Sequence, residues 1–178
     1  MNQTDFKNQL RQYFKNLAVD MNLKKFEEAI LLNKSQNYLR QNPPKIIGLY
    51  APFACEPNIN PLLDFCHSQG MQTAYPAIEN ALMIYRLVNN LSNLQKSDFG
   101  FLEPPVANTK VEPDLLIVPG IAFNPQGARL GRGQGHFDQY IAKHNPKTLS
   151  LVFSWMVLEN IPLEPHDKLI NLVLMASP

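Results

Sequence analysis

Half of the eight glycines in this 178-residue chain fall within nine residues, at Gly127, Gly131, Gly133 and Gly135. They follow an apolar run, Leu115-Leu116-Ile117-Val118, short enough for a strand buried on both faces. Pro119-Gly120 ends that run, because proline lacks the ladder donor and glycine takes the sharp turn. Beyond the glycines, Phe137, Tyr140 and Ile141 recur at helical spacing. The segment from Asp114 to Asp138 thus reads as strand, glycine loop and helix N-terminus. Glycines let backbone N–H groups converge, and a helix N-terminus adds partial positive charge. Arg129, Arg132 and Gln134 sit among them as side-chain donors. The pattern suits an anion cradle, for a nucleotide phosphate above all. Spacing alone leaves an ordinary surface loop before a capped helix equally open, since the loop is neither a Walker A sequence nor a dinucleotide fingerprint.

The flanking chain alternates elements. Thr4 caps a helix from Asp5, with Phe6, Leu10, Tyr13, Phe14 and Leu17 as its apolar stripe. Lys7 and Arg11, four apart, share another face, which by spacing alone is a solvated basic stripe. A second helix runs from Leu23 to Tyr38 with Phe26, Ile30 and Tyr38 inward, and Asn42-Pro43-Pro44 breaks it. Strands follow at Lys45–Tyr50, Gly70–Pro76, Leu82–Val88, Leu149–Phe153 and Leu169–Met175. Between the first two, a loop from Ala51 carries Glu56, and Asn60-Pro61 opens a helix that stops at Gly70. Met83 and Tyr85 share one face of their strand, for core packing or for lining a pocket. Ile161–Asp167 is a proline-marked loop. Two helices and then alternating strands and helices imply one α/β layered domain over residues 1–178, around a largely parallel sheet.

Charge and composition exclude several classes. The net charge is +1 and the sixteen Lys and Arg are dispersed, which argues against nucleic-acid binding. No apolar run approaches a membrane span, and the charged N-terminus lacks a signal-peptide core, so a cytoplasmic protein is expected. Cys55 and Cys66 read as free thiols, and the four histidines have no metal-ligand spacing.

The stretch LIVPGIAFNPQGARLGRGQGHFDQYIA resembles the signature of the 5-formyltetrahydrofolate cyclo-ligase (5,10-methenyltetrahydrofolate synthetase) family. There a V-P-G-[LVI]-[AG]-F strand end precedes R-L-G-[YR]-G-x-G-Y-Y-D. His136 and Phe137 stand where the family usually has two tyrosines. The resemblance implies a single three-layer domain with a largely parallel central sheet flanked by helices. It implies ATP- and Mg²⁺-dependent closure of 5-formyltetrahydrofolate, with or without further glutamates, to the 5,10-methenyl form, by a monomer or weak dimer. It assigns ATP to Lys7 and Arg11 of the first helix and to the loop residues Arg129, Leu130, Gly131, Arg132, Gly133, Gln134, Gly135, His136 and Phe137. It assigns the folate to Ala51 and Glu56 together with Arg132, Gly133, Gln134, Gly135 and His136, and catalysis to Arg132 and His136. Asp138 and Asp167 would hold Mg²⁺. Phe99-Gly100-Phe101-Leu102-Glu103-Pro104 is similar to the family's Gly-x-x-Glu-Pro segment and is expected as a constrained loop near the site. A histidine at 136 keeps a flat ring but adds a titratable nitrogen, so a shifted pH dependence is expected.

Three other readings stand beside this one. The substitutions at His136 and Phe137 suit a protein that binds ATP or folate without turnover. A sugar-phosphate isomerase or acyl-transferase of related architecture would need a Lys or Glu acid–base residue and no ATP. An interaction module would act through the basic first helix and tolerate loss of Asp138.

Overall fold

A computed structural model describes residues 3–97 and 100–176. Its helices are α1 (Gln3–Lys15), α2 (Met21–Gln41), α3 (Pro61–Ser68) and α4 (His136–His144). Its strands are β1 (Ile46–Gly48), β2 (Gln72–Glu79), β3 (Leu82–Leu87), β4 (Gln95–Lys96), β5 (Leu102–Glu103), β6 (Lys110–Val111), β7 (Leu115–Ile117), β8 (Ala122–Phe123), β9 (Arg129–Leu130), β10 (Lys147–Val152) and β11 (Leu172–Met175). Among the described residues, seven strands form the main sheet in the order β11-β10-β7-β1-β2-β3-β6. Every pairing from β11 to β2 is parallel, and β3 and β6 add an antiparallel edge. Leu115, Leu116 and Ile117 are all buried, as an unbroken apolar run in a covered parallel strand must be.

Helices cover both faces. His67 of α3 shares a 2.9 Å hydrogen bond with Thr73 on one face of β2. Tyr140 of α4 meets the Tyr85 ring edge-on at 5.0 Å, and Tyr85 pairs with Pro76, three residues beyond Thr73. An odd separation along a strand puts side chains on opposite faces, so α3 and α4 sandwich the sheet. The α2 helix packs beside α3 and over β10 and β11. The three layers implied by the resemblance are therefore present. On the remaining side, Leu10 and Phe14 of α1 pack against a small cluster of Ala122, Ala128, Leu130 and Ile161.

Several sequence expectations need correction. The second strand does not stop at Tyr75-Pro76 but continues to Glu79. The β1 ladder ends at Ala74, so Pro76 faces a partner strand only on the β3 side. Asn80 and Ala81, both at positive φ, close a two-residue hairpin between β2 and β3. In α2 the inward row is Glu27, Leu31, Ser35 and Leu39, while Phe26 is 65% exposed. Glu27 is tolerated inside because its carboxylate accepts the Ser154 N–H at 2.8 Å and the Ser154 hydroxyl at 2.5 Å. In α1 the only fully buried residue is Lys7, and the inward face combines Lys7 and Arg11 with Leu10 and Phe14, while Phe6 and Tyr13 of the expected stripe are exposed. Thr4 lies within that helix, and its hydroxyl donates to Glu164 at 2.8 Å instead of capping. Both cysteines are free: Cys55 is exposed, and burial pushes the Cys66 thiol up to about 12. No helix among the described residues is long and apolar enough to cross a membrane.

Candidate active site

Parallel strands leave their carboxyl ends on one rim of a sheet, and connecting loops there enclose ligands. A cavity of 330 Å³ lies on that rim. Tyr50 and Ala51 line it after β1, Pro76 and Ile78 from β2, and Pro119 after β7. Met83, Phe101 and Leu102 add apolar walls, so Met83 both packs the core and faces the cavity. Phe99 lies outside the described residues, but Glu103 in the same segment accepts the Ile78 N–H at 3.4 Å and ties the loop to β2. The opposite wall is the glycine segment, with Arg129, Gly131, Arg132, Gln134, Gly135, His136, Phe137 and Asp138.

Local sequence explains the shape of that wall. Ala122-Phe123 and Arg129-Leu130 pair as a short antiparallel hairpin, so the loop begins with an ordered strand. At Gly127, φ is +90°, and a Cβ would lie 2.2 Å from the Ile170 carbonyl oxygen, which excludes any side chain. Gly135 takes φ +70° as the residue before α4, whose first turn opens on the cavity through His136 and Phe137.

The two loop arginines are held differently. Arg129 is buried and fixed: its Nη2 donates to Asp138 Oδ2 at 2.7 Å and its Nη1 to the Pro119 carbonyl at 3.2 Å. The Arg132 side chain is 43% exposed, and its Nε and Nη2 donate to Glu56 Oε1 at 3.2 and 2.9 Å. Its guanidinium lies 4.2 Å from the Phe53 ring centroid. Burial disfavours the Arg132 cation, but the Glu56 carboxylate outweighs it and the group is held above its ordinary range. Glu56 is buried, and its other oxygen accepts the Phe53 N–H at 2.9 Å.

Helix α1 reaches the same loop. Arg11 Nε donates to the Gly131 carbonyl at 2.9 Å, and its guanidinium carbon is 3.6 Å from where a Cβ on Gly133 would stand. Lys7 Nζ donates to Glu164 Oε2 at 2.8 Å and also contacts Asp167. Asp167 accepts the Glu164 N–H at 2.7 Å, which closes a clasp between α1 and the 161–167 loop. Glu164 was not singled out in the sequence. Its only signal there was a second loop acid three residues before Asp167. The first helix and the glycine segment therefore converge through Arg11, while Lys7, Arg11, Leu130, Gly133 and Asp167 are not among the residues that line the cavity. His136 lines the cavity, and its buried Nδ1 has no hydrogen-bond partner among the described residues.

The two carboxylates expected to hold Mg²⁺ each have a cation nearby. Asp138 is paired with Arg129 and accepts the Lys168 N–H at 3.0 Å. Asp167 shares the single Lys7 cation with Glu164, so the neighbouring group of Glu164, His166 and Asp167 keeps one carboxylate charge in excess. A hard dication needs carboxylate charge that is not already compensated, which Asp138 lacks beside Arg129 and the Glu164–Asp167 pair retains in part.

The fold is thus a three-layer α/β domain with a cavity at the strand carboxyl ends, walled by a glycine loop and two arginines. The sequence profile described as the 5-formyltetrahydrofolate cyclo-ligase family matches residues 3–176. A Mycolicibacterium smegmatis protein named 5-formyltetrahydrofolate cyclo-ligase is 32% identical over 134 residues, 69% of each chain. A Mus musculus protein of the same name is 24% identical over 183 residues, covering 93% of this chain and 89% of the mouse protein. Among solved structures, Aquifex aeolicus 5,10-methenyltetrahydrofolate synthetase superposes with a TM-score of 0.78 at 22% identity, covering 100% of this chain and 91% of that one. The Mycoplasma pneumoniae synthetase gives a TM-score of 0.74 at 19% identity, covering 97% and 98%. The chain belongs to the 5-formyltetrahydrofolate cyclo-ligase family and is an enzyme of that class.

Proposed function

We propose that the protein converts 5-formyltetrahydrofolate and ATP to 5,10-methenyltetrahydrofolate, ADP and phosphate. One observation carries this reading: a single cavity joins a buried carboxylate, Glu56, to a loop of arginines and a helix N-terminus. Those two walls are complementary to the two substrates. A pterin presents adjacent N–H donors that a carboxylate accepts, and a triphosphate needs cations and convergent N–H groups.

The formyl oxygen attacks the γ-phosphorus and ADP departs, leaving an iminium phosphate. N10 then attacks the formyl carbon, loses its proton to solvent, and phosphate leaves as the ring closes. The protein's work is alignment and charge neutralisation, with no covalent nucleophile. Glu56 and the Ala51 backbone orient the pterin, and the apolar wall of Ile78, Met83 and Phe101 receives the rest of the folate and excludes water. Arg129 and Arg132 face the phosphates, with the loop from Leu130 to Phe137 supplying backbone N–H groups. Arg11 and Lys7 act from behind, by fixing the carbonyl side of the loop and the 161–167 segment. The His136 ring, which lines the cavity from the first position of α4, contacts the reacting formyl phosphate in this reading. ATP is taken as its magnesium complex, so the metal enters with the substrate.

Mixing purified protein, 5-formyltetrahydrofolate and Mg-ATP should raise the near-ultraviolet absorbance of the methenyl product. Folate binding without that rise would instead support a family member that binds without turning over, as the replaced tyrosines at 136 and 137 would allow.

A further inference from the structure

Glu56 and Arg132 have each been given one partner, and the structure gives them each other. Glu56 is 3% exposed, and both of its oxygens are engaged: Oε1 by the Arg132 fork and Oε2 by the Phe53 N–H. Arg132 is spanned by Glu56, by the Phe53 ring and by the Cys55 sulfur at 3.3 Å. A carboxylate oxygen filled by a guanidinium fork cannot also accept the N–H pair of a pterin. A guanidinium folded onto Phe53 cannot also reach a phosphate.

We infer that Arg132 is a latch across the two subsites: folate displaces it from Glu56, and the released guanidinium turns to the nucleotide. This rests on the cyclo-ligase reading and adds to it a coupling between its substrates. The loop is built for such a swing. Arg132 lies between Gly131 and Gly133, the latter at φ +98°, and its side chain is half-exposed, whereas Arg129 beside it is pinned by Asp138 and Pro119.

The energetics give the direction. A nucleotide that draws Arg132 away unaided strands Glu56 as a buried, unpaired carboxylate, which is costly. A folate that enters unaided must break the Arg132 fork and leave that cation without a partner. When both are present, the pterin satisfies Glu56 and the phosphates satisfy Arg132, so neither bears the cost alone. Such a cycle is positive coupling and must be reciprocal: each ligand tightens the other by the same factor.

The experiment is a calorimetric titration of 5-formyltetrahydrofolate and of β,γ-imido-ATP, each alone and each with the other saturating. The wild-type protein should show roughly tenfold mutual tightening. Arg132→Ala should abolish that coupling and should bind folate alone several-fold more tightly than wild type, because no latch remains to displace. Glu56→Gln should do the reverse, weakening folate but tightening the nucleotide analogue alone. Thermal melting confirms that both variants are folded, and Arg132→Lys, which keeps charge without the fork, should retain only part of the coupling. A merely structural or phosphate-only Arg132 would leave folate affinity unchanged in Arg132→Ala, and that outcome overturns the latch, as does independent binding in wild type. If 5-formyltetrahydrofolate neither binds nor turns over in wild type, the cyclo-ligase reading itself falls. Turnover without coupling removes only the latch.

Discussion

Lys7 illustrates what one side chain decides. Only 4% of it is exposed, and its ammonium is shared by two carboxylates, Glu164 and Asp167. Removing one member of a buried ion cluster leaves the others uncompensated, which is far more costly than losing a surface pair. Lys7→Met should therefore destabilise the fold by about 1–3 kcal/mol, read as a drop in the urea midpoint at unchanged slope. Adding Glu164→Gln and Asp167→Asn to that variant should recover most of the loss. A midpoint within error of wild type for Lys7→Met would show that the clasp holds nothing. Lys7, Arg11 and Glu56 were legible in advance only through the family resemblance, since spacing alone made the first two a solvated stripe, whereas the loop arginines stood out by their place among the glycines. Their partners were not legible, since Glu56 meets Arg132 across 76 residues and Lys7 meets Glu164 across 157. Spacing along a chain carries no information about such pairs.

Among the elements, the glycine segment is where backbone geometry sets the site. Gly127 combines φ +90° with a Cβ position 2.2 Å from the Ile170 oxygen, and its own carbonyl accepts the Ile170 N–H at 2.9 Å. Gly127→Ala should cost about 3 kcal/mol or more, from backbone strain and overpacking together. Gly70 has φ +76° but open space around it, so Gly70→Ala should carry strain alone, about 1 kcal/mol. Equal midpoints in denaturant for the two variants would show that the Ile170 contact is unimportant. The strand end before Pro119-Gly120 was legible because both residues restrict or free the backbone locally, but Pro76 did not end β2, since it faces a partner strand on one side only. The α2 row was misread by one position. Phe26 looked like the anchor, but the buried row begins with Glu27, which only the distant Ser154 makes affordable inside.

At the scale of the molecule, α1 is a cover attached to the main body by charge more than by apolar packing. The Lys7 hydrogen bond, and after it the one from Thr4, hold the Glu164 carboxyl below its ordinary range. A depressed carboxyl stabilises the folded form above its ordinary value, and that contribution is lost as pH falls through the folded value. Acidification below the ordinary glutamate value of about 4.3 should thus release α1 while the sheet persists. Amide chemical shifts of residues 3–15 should change before those of β7 and β10 as pH is lowered. Simultaneous loss of both sets would show that α1 is no separate cooperative unit. The parallel order of the sheet was foreseeable from alternating strands and helices. The antiparallel β3–β6 edge was not, because the hairpin turn is made by Asn80-Ala81 without glycine, at positive φ that alanine rarely adopts.

The clasp that seats α1 also has a consequence for biosynthesis. Lys7 is made early, but its acidic partners lie 157 and 160 residues downstream. A growing polypeptide can dock Leu10, Arg11 and Phe14 on the glycine segment earlier, but it cannot close the Lys7 clasp until the stretch out to Asp167 has left the ribosome. Until then the glycine-segment wall of the cavity lacks part of its backing, so an incomplete chain should hold that wall loosely, however well its sheet has formed.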